Sequence, residues 1–326
     1  MKLIQREFKG FFVALLIGLL AYFTAPYMPS LFNSILVALL FGMLVGNALS
    51  LPSDFQSGIS FTSGKLLELS ILFLAFSINY THIAALGASS FVIIAIMILM
   101  MLLLTFYLAK QANCPGATGW LVGFGTTICG SSAIVALAPS VAKNKDDVGI
   151  AMAVVNLFGT LGMIVLPFIL LKADFSVAEI GLLLGGTLHS VGNVAGAGYG
   201  MSNEIGEAAI TIKLARVALL SPALIFFNFL VNRNNVKNWK EHFSLPWYLW
   251  AFIVITILAS FINIPELFLS TMEQIGKIVL TVAMAAIGLK VSFKNLYHSG
   301  KKGIAFGLIV FATQIFIILL LIKLLM

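Results

Sequence analysis

The stretch Gly125-Thr126-Thr127-Ile128-Cys129-Gly130-Ser131-Ser132 lies in the middle of a run, Gly116 to Val141, that is otherwise apolar and long enough to cross a bilayer. Small and hydroxyl-bearing residues at this density predict that the helix is interrupted there. In hydrocarbon, non-helical backbone is tolerated only where protein buries it or where it lines a watery cavity. The stretch therefore predicts a discontinuous transmembrane helix.

A second stretch repeats this pattern. Sixty-one positions later, Gly186-Thr187-Leu188-His189-Ser190-Val191-Gly192-Asn193 interrupts another apolar segment and begins with the same Gly-Thr pair. Discontinuous helices in secondary transporters use their freed backbone groups and half-helix dipoles to hold a polar solute near the membrane midplane. Two such breaks in one chain therefore indicate a transporter.

The composition is that of an integral membrane protein. Of 326 residues, 60% are hydrophobic and 10% are charged, whereas soluble domains carry about 25% charged residues. No polar stretch is long enough for a soluble domain, so residues 1–326 are interpreted as one transmembrane domain. The net charge of +7 is scattered among connectors, which membrane topology explains better than nucleic-acid binding. The two cysteines, Cys114 and Cys129, suggest neither a metal site nor a disulfide framework.

Apolar runs of helical length predict an all-α fold of about eleven transmembrane helices. The predicted spans are residues 10–27, 31–49, 63–79, 88–110, 117–142, 148–171, 178–200, 205–231, 246–263, 271–290 and 303–324. The distribution of lysine and arginine among the connectors favours a cytoplasmic N-terminus. Gly64-Lys65-Leu66 is echoed by Gly276-Lys277-Ile278 on a helix of opposite direction, which suggests an inverted repeat; chance similarity between apolar sequences is the alternative.

The two breaks are rich in groups that donate hydrogen bonds. Hydroxyls, amides and N–H groups at a helix start suit an anion, because the positive end of the helix dipole points at it. Small residues that only mediate tight helix packing are the alternative. The candidate solute-binding residues are Thr126, Thr127, Cys129, Gly130, Ser131 and Ser132 in the first break, Thr187, His189 and Asn193 in the second, and Arg216.

Charged residues inside the spans are the other candidates, since such groups usually face a pathway or a partner. Lys213 and Arg216 are three residues apart and so share a helix face. A bidentate guanidinium fits sulfate, sulfonate, carboxylate or phosphate, so replacing Arg216 by alanine is predicted to abolish anion binding but not insertion. Alternatively, Glu68 forms an ion pair with Arg216 or Lys65. Lys213 is placed nearer the membrane edge, where it would snorkel.

The residues proposed for coupling or gating are His189, Glu68, Lys213 and Asn156. His189 could change protonation near neutrality, or it could be an ordinary hydrogen-bonded histidine. Asn156 could reach the first break or bond a neighbouring helix. A hydrolase that uses Cys129 or Ser131 with His189 would need a third, orienting group, and no such signature is visible. The chain is therefore predicted not to be an enzyme.

These residues resemble the YeiH-like sulfate exporter family of bacterial inner-membrane proteins. The most specific marks are Gly125 to Ala133, His189 to Asn193, Ile212-Lys213-Leu214-Ala215-Arg216-Val217 with Pro222, and Thr281 to Leu289. The resemblance implies an inverted-repeat bundle, related to bile-acid symporters and cation/proton antiporters, whose discontinuous helices cross at mid-membrane. The second break departs from the family pattern at Ser190 and Gly192-Asn193, which leaves the solute open.

The expected function is secondary active transport of a small anion of the sulfate, sulfonate or carboxylate type, by alternating access and in an elevator-like manner. The alternative is a monovalent cation/proton or sodium-coupled exchanger or symporter, although neither break contains a carboxylate. No phosphate-binding Gly-x-x-x-x-Gly-Lys motif occurs, so an ion gradient, H⁺ or Na⁺, is the expected energy source and no cofactor is expected. The expected partners are the solute, membrane lipid and a second copy of the chain.

Overall fold

The fold is helical throughout the residues that the structure describes. The structure is a computed structural model that describes residues 2–28, 32–49, 51–78, 84, 86–111, 117–142, 145–231, 246–262, 264–291 and 301–326. All regular secondary structure in these ranges is helical, which confirms the all-α prediction. Six helices are long and apolar enough to cross a membrane, or seven if one bent pair is a single span, so the predicted count of eleven is not confirmed.

Most helices follow the predicted spans, but the predicted span 63–79 belongs to a longer helical stretch that begins earlier, Ser53–Ser77, and three other predicted spans are divided. Residues 117–142, 178–200 and 205–231 each fall on two consecutive helices, and the last pair is bent by 45°. In chain order the α-helices of the described ranges are α1 (Lys2–Thr24), α2 (Ser34–Ala48), α3 (Ser53–Phe61), α4 (Leu67–Leu74), α5 (Gly87–Gln111), α6 (Thr118–Thr127), α7 (Ser131–Val141), α8 (Lys145–Leu170), α9 (Val177–Thr187), α10 (Val191–Met201), α11 (Asn203–Ala218), α12 (Leu220–Val231), α13 (Trp247–Phe261), α14 (Glu266–Lys290) and α15 (Lys301–Leu325).

The chain forms two compact units. Unit 1 comprises Met1–Ala84, Ala195–Glu207 and Trp247–Phe293. Its core is built on close contact between α2 and α14, where a Cβ added at Gly42 would collide with the carbonyl oxygen of Ala285 and one added at Gly288 with that of Leu39. Small residues thus let the two backbones touch, as is common between membrane helices, where side-chain packing replaces the hydrophobic effect.

Unit 2 comprises Ala85–Val194, Ala208–Pro246 and Lys294–Met326. In this unit α15 packs against α5, α6, α8 and α9. Both sequence breaks belong to this unit, so the short helices α6, α7 and α9 and the start of α10 lie among its long helices. The part of α11 that carries Lys213 and Arg216 also belongs to unit 2. Unit 2 therefore contains the candidate site by itself.

Local capping determines where the short helices begin. Ser176 and Glu179 form a reciprocal capping box at the start of α9, which satisfies two backbone donors that the first turn leaves free. At the start of α6, Thr118 Oγ1 donates to Asp147 Oδ1 at 2.9 Å. Because Asp147 lies in the first turns of α8, this bond fixes the starts of α6 and α8 relative to each other.

Candidate functional site

The first break separates α6 from α7. The amide N–H of Ile128 donates to the carbonyl of Phe124 at 3.2 Å, and that of Gly130 donates to the carbonyl of Gly125 at 2.8 Å, so the chain turns sharply after Thr127. Gly130 has a φ of 76°, a conformation that glycine adopts without the steric penalty of a side chain. The structure thus confirms the interruption predicted from the sequence.

The second break separates α9 from α10 and has a different chemistry. The side chain of Ser190 accepts a hydrogen bond from the amide of Asn193 at 3.1 Å, and the Ser190 hydroxyl also bonds the Asn193 side chain. A serine in this position satisfies one of the free donors of the first helical turn. The N-terminal end of α10 is therefore capped by its own residues.

The two breaks lie against each other inside unit 2. A Cβ placed on Gly130 would be 3.5 Å from both the carbonyl carbon and the carbonyl oxygen of His189. A Cβ at this position would thus be in van der Waals contact with the turn of the second break. The two breaks are therefore neighbours within unit 2.

Lys213 bridges the breaks from α11. Its side chain is fully buried, and its Nζ donates to the carbonyls of Ile128 and Leu188, each at 2.8 Å. The prediction that Lys213 snorkels near the membrane edge is wrong, because the unpaired carbonyls of the two breaks provide acceptors deep in the unit.

Arg216 makes a larger set of contacts to the same ends. It is fully buried, and its donors bond the carbonyls of Thr126, Thr127, Gly185 and Leu188 at 2.7 to 3.1 Å. These are five hydrogen bonds, which is the full donor capacity of a guanidinium. In this structure the Arg216 fork that was predicted to hold an anion is therefore occupied by backbone.

We call Lys213, Arg216 and the carbonyls that they bind the carbonyl clamp. The last turns of α6 and α9 leave carbonyls without helical partners and carry the negative ends of their helix dipoles. Cationic side chains at these ends supply donors and a favourable charge interaction. The clamp therefore satisfies the C-terminal ends of both short helices at once.

The described ion pairs leave the clamp without a carboxylate partner. These pairs are Lys9 with Asp54, Lys65 with Glu68, and Lys277 with Glu273. The carboxylates that the structure describes within unit 2 are those of Asp147, Asp174 and Glu179, which lie at helix starts and in a connector. Within the described part of unit 2, Lys213 and Arg216 are thus buried with backbone carbonyls as partners and without a carboxylate.

The threonine hydroxyls at positions 127 and 187 form hydrogen bonds within their own helices. Thr127 Oγ1 donates to the carbonyl of Gly123 at 2.7 Å, and Thr187 Oγ1 donates to that of Leu183 at 2.6 Å. Both are bonds to the preceding turn, a common use of hydroxyls inside helices. Thr126 is buried and contributes its carbonyl to the clamp. The threonine hydroxyls predicted as solute donors at positions 127 and 187 are therefore engaged in this structure.

The serines of the first break are more accessible. Ser131 Oγ donates to Asn156 Oδ1 at 3.0 Å, so Asn156 does reach the first break from α8. The Cys129 thiol and the Ser132 hydroxyl are hydrogen-bonded at 2.9 Å. Ser132 and Asn156 are exposed and Ser131 is partly exposed, whereas Cys129 is buried. These side chains form an open polar face at the start of α7.

His189 is the buried polar side chain of the second break. It is 2% exposed, and neither ring nitrogen has a hydrogen-bond partner among the described residues. Its ring lies 5.1 Å from that of Phe311, centroid to centroid. The alternative of an ordinary hydrogen-bonded histidine is therefore not what the described residues show. The described protein groups therefore do not satisfy this buried imidazole.

Two site residues were missed from the sequence. Gln314 on α15 is fully buried and donates from Nε2 to the carbonyl of Gly186 at 2.9 Å, which adds a further donor to the end of α9. The sequence feature that could have identified Gln314 is its single amide side chain within the apolar run 303–324. Gly159 on α8 leaves the room that His189 and Asn193 occupy, since a Cβ there would be 2.6 Å from Asn193 Nδ2 and 3.1 Å from His189 Nδ1.

Glu68 belongs to unit 1. Its carboxylate accepts from Lys65 Nζ at 3.0 Å and from Trp247 Nε1 at 2.8 Å. Of the two pairings considered from the sequence, the one with Lys65 is confirmed. Arg216 has backbone carbonyls as its partners instead.

The space at Gly159 leads to a testable expectation. Gly159→Ala should destabilise the protein by about 1–3 kcal/mol, because the added methyl forces the side chains of Asn193 or His189 to move. Gly149→Ala on the same helix is the matched control, since no atom of the described residues lies within 4 Å of its added Cβ. It should be neutral or stabilising by about 0.5–1 kcal/mol. Thermal unfolding in detergent measures both, and equal melting temperatures for the two variants would contradict the crowding at Gly159.

Comparison with known proteins identifies relatives along most of the chain. The family model described as "Conserved hypothetical protein 698" matches residues 9–307. UPF0324 inner membrane protein YeiH of Escherichia coli K12 is 32% identical over 292 residues, which cover 87% of this chain and 83% of YeiH. UPF0324 membrane proteins of Bordetella bronchiseptica and Bacillus anthracis are 30% and 29% identical, over 87% and 92% of this chain and 91% and 90% of their own lengths. No solved structure matches the chain significantly.

Proposed function

This chain belongs to the UPF0324 family of membrane proteins, and on that premise we propose that it is a secondary transporter of a small anion. The observation that carries the proposal is the carbonyl clamp. Two cationic side chains are buried beside the breaks, and no described ion pair neutralises them. A charge buried without a counterion is costly, so an anion bound near the breaks would be favoured electrostatically.

The dipoles of the short helices support the same proposal. The clamp occupies the negative ends of α6 and α9, whereas α7 and α10 begin at the breaks with their positive ends. Two positive helix ends together with two cations favour a negative solute at this place. A cation exchanger would instead need a carboxylate near the breaks, and neither break sequence contains one.

The transport cycle that we propose is alternating access of an elevator-like kind, with the N-terminus in the cytoplasm and a proton or Na⁺ gradient as the energy source. If the gradient is one of protons, His189 is the residue that we propose to carry the proton, because it is the titratable side chain of the second break and lies next to Gly130. Sulfate, sulfonates and carboxylates are the solute classes to be compared.

The test is a thermal-shift series on the detergent-solubilised protein. A specific anion should raise the melting temperature with a saturable dose dependence, since a ligand present at 100 times its Kd stabilises the folded state by about 2.7 kcal/mol. Sodium sulfate, methanesulfonate and acetate replace sodium chloride in the titrations, and choline chloride is adjusted so that ionic strength and sodium concentration both stay constant. Saturable stabilisation by Na⁺ with choline chloride as the balancing salt, together with no response to any of the anions, would overturn the anion proposal in favour of a cation exchanger.

A further inference from the structure

We infer that the two breaks are the tips of two re-entrant helical hairpins, which enter the membrane from opposite faces without crossing it. The first hairpin comprises α6 and α7, residues 118–141, and the second comprises α9 and α10, residues 177–201. The sequence predicted instead that residues 117–142 and 178–200 are interrupted spans, each of which crosses the membrane. The inference goes beyond the proposed function, because it holds for any solute.

Two contacts indicate that α7 runs back along α6. A Cβ added at Gly125 would lie 2.7 Å from Cγ1 of Ile134, although an uninterrupted helix would separate these two residues by about 14 Å. At the base of the hairpin, Thr118 Oγ1 donates to Asp147 Oδ1 at 2.9 Å. These two residues are 29 positions apart, which corresponds to roughly 44 Å of continuous helix. The chain therefore returns to the level from which α6 started.

The second hairpin follows from the direction of α11. A Cβ added at Gly181 on α9 would lie 2.5 Å from Cβ of Ala208 on α11. One turn further along both helices, a Cβ added at Gly185 would lie 2.8 Å from Cβ of Ile212, so α9 and α11 run in the same direction. α11 begins five positions before Ala208, which makes its start level with the start of α9. Because α10 ends two positions before α11 begins, α10 has returned to the level where α9 began.

The helix α8 separates the bases of the two hairpins. It has 26 residues, or about 39 Å of helix, which exceeds the roughly 30 Å of hydrocarbon in a bilayer. The base of the first hairpin is bonded to Asp147 in the first turn of α8. The second hairpin begins at Val177, shortly after α8 ends at Leu170. The hairpins therefore enter from the two faces that α8 connects.

The arms of both hairpins have half the length of a span. Each arm contains 10 or 11 residues, which is about 15–17 Å of helix. Half of the hydrocarbon thickness is about 15 Å, so tips that enter from opposite faces meet near the midplane. Lys213 donates there to the carbonyls of Ile128 and Leu188, one from each tip. The carbonyl clamp thus joins two hairpin tips, and the site has one hairpin as its boundary toward each face, as alternating access requires.

The distribution of lysines agrees with the hairpins. In the eleven-span prediction, the connector before α8 lies outside the cytoplasm, although it contains Lys143 and Lys145. Two hairpins reduce the eleven predicted crossings to nine and move this connector to the cytoplasmic side, where lysines are favoured. The connector after α8 also changes side, and its Lys172 and Asp174 balance each other. All later connectors keep their sides, because the second hairpin reverses the change that the first one makes.

Thiol labelling in intact cells tests the inference. Single cysteines are introduced into a background with Cys114→Ser and Cys129→Ser, one at each end of each hairpin. The variants are Gln111→Cys and Ala142→Cys around the first hairpin, and Lys172→Cys and Asn203→Cys around the second. A membrane-impermeant maleimide should label the second pair in intact cells and the first pair only after permeabilisation. Spans that cross the membrane would instead place the two members of each pair on opposite faces.

The orientation controls are Ser53→Cys and Met326→Cys, because hairpins and crossing spans place these positions on the same faces, inside and outside respectively. Labelling after denaturation in SDS confirms that each thiol is present. A pair that is split between the two faces would overturn the inference, and so would two undivided pairs on one face. Two undivided pairs on opposite faces support it.

A disulfide at the base of the first hairpin is the second measurement. Thr118→Cys combined with Asp147→Cys should cross-link on oxidation, because the two side chains are in contact. Thr118→Cys combined with Leu171→Cys, at the far end of α8, is the matched control and should not cross-link. Equal cross-linking of the two pairs would overturn the first hairpin.

Both measurements are made without a solute, so they separate the hairpins from the proposed function. A wild-type protein that responds to none of the anions in the thermal-shift series would overturn anion transport and leave the hairpins standing. A split labelling pattern in a protein that responds to sulfate would overturn the hairpins and leave anion transport standing.

Discussion

Arg216→Leu is expected to prevent the protein from reaching its folded state, which differs from the sequence-based expectation that only anion binding would be lost. The substitution removes five hydrogen bonds and leaves carbonyls of Thr126, Thr127 and Gly185 without these donors in a buried place. A hydrogen bond to a charged group contributes about 1.5–3 kcal/mol, and an entire protein is stable by only about 5–15 kcal/mol. The free energy lost with these five hydrogen bonds is therefore comparable to the total free energy of unfolding.

Size-exclusion chromatography of detergent extracts measures this effect as the fraction of monodisperse protein. Arg216→Lys should be intermediate, because it keeps the charge and loses the planar fork with two of its five donors. Lys323→Ala is the control, since it removes a cation from an exposed position near the C-terminus. A monodisperse Arg216→Leu protein with wild-type melting temperature would show that the hydrogen bonds of Arg216 contribute nothing to stability.

Gly130→Val is the second substitution with a large expected effect. A Cβ added at Gly130 would meet its nearest described neighbours at 3.5 to 3.6 Å, which are ordinary contacts, so the Cβ by itself does not crowd the break. The penalty arises from the backbone instead, because φ of 76° is strongly unfavourable for a β-branched residue. A valine held at this φ should destabilise the break by about 1–3 kcal/mol or more and displace the start of α7.

The expected readouts are a lower melting temperature and loss of the anion-dependent stabilisation. Gly149→Val is the control, because its added Cβ meets no atom within 4 Å in the part of the chain that the structure describes and its φ is not in the left-handed region. If Gly130→Val responded to sulfate as the wild type does, the turn at the first break would not position the binding groups.

The sequence predicted the breaks because their signal is local. Gly130 and the hydroxyl residues around it lie within one apolar run, and unusual composition over eight positions is enough to mark a change of backbone. The same holds for Ser190 and Asn193, whose spacing permits the cap that the structure shows. The all-α class followed equally directly from apolar runs of helical length.

The sequence could not predict what the cations bind. Lys213 and Ile128 are separated by 85 positions, and only the folded chain brings that carbonyl to the ammonium group. A guanidinium that is complementary to an oxyanion is equally complementary to a cluster of backbone carbonyls, so residue type alone does not decide between them. Gly159 was missed for the same reason, since a lone glycine in a helix does not reveal which side chains press against it.

The position of the carbonyl clamp in the chain has a consequence for biogenesis. Both breaks precede Lys213 and Arg216 in the chain, so a ribosome delivers the unpaired carbonyls to the membrane before the side chains that satisfy them. At about 5–20 residues per second, the delay between Ile128 and Lys213 is roughly 4–17 s. During that interval the first pair of short helices needs water, lipid headgroups or an insertion factor as its partner. Nascent chains stalled before residue 213 should accordingly be retained by the insertion machinery longer than chains stalled after residue 231.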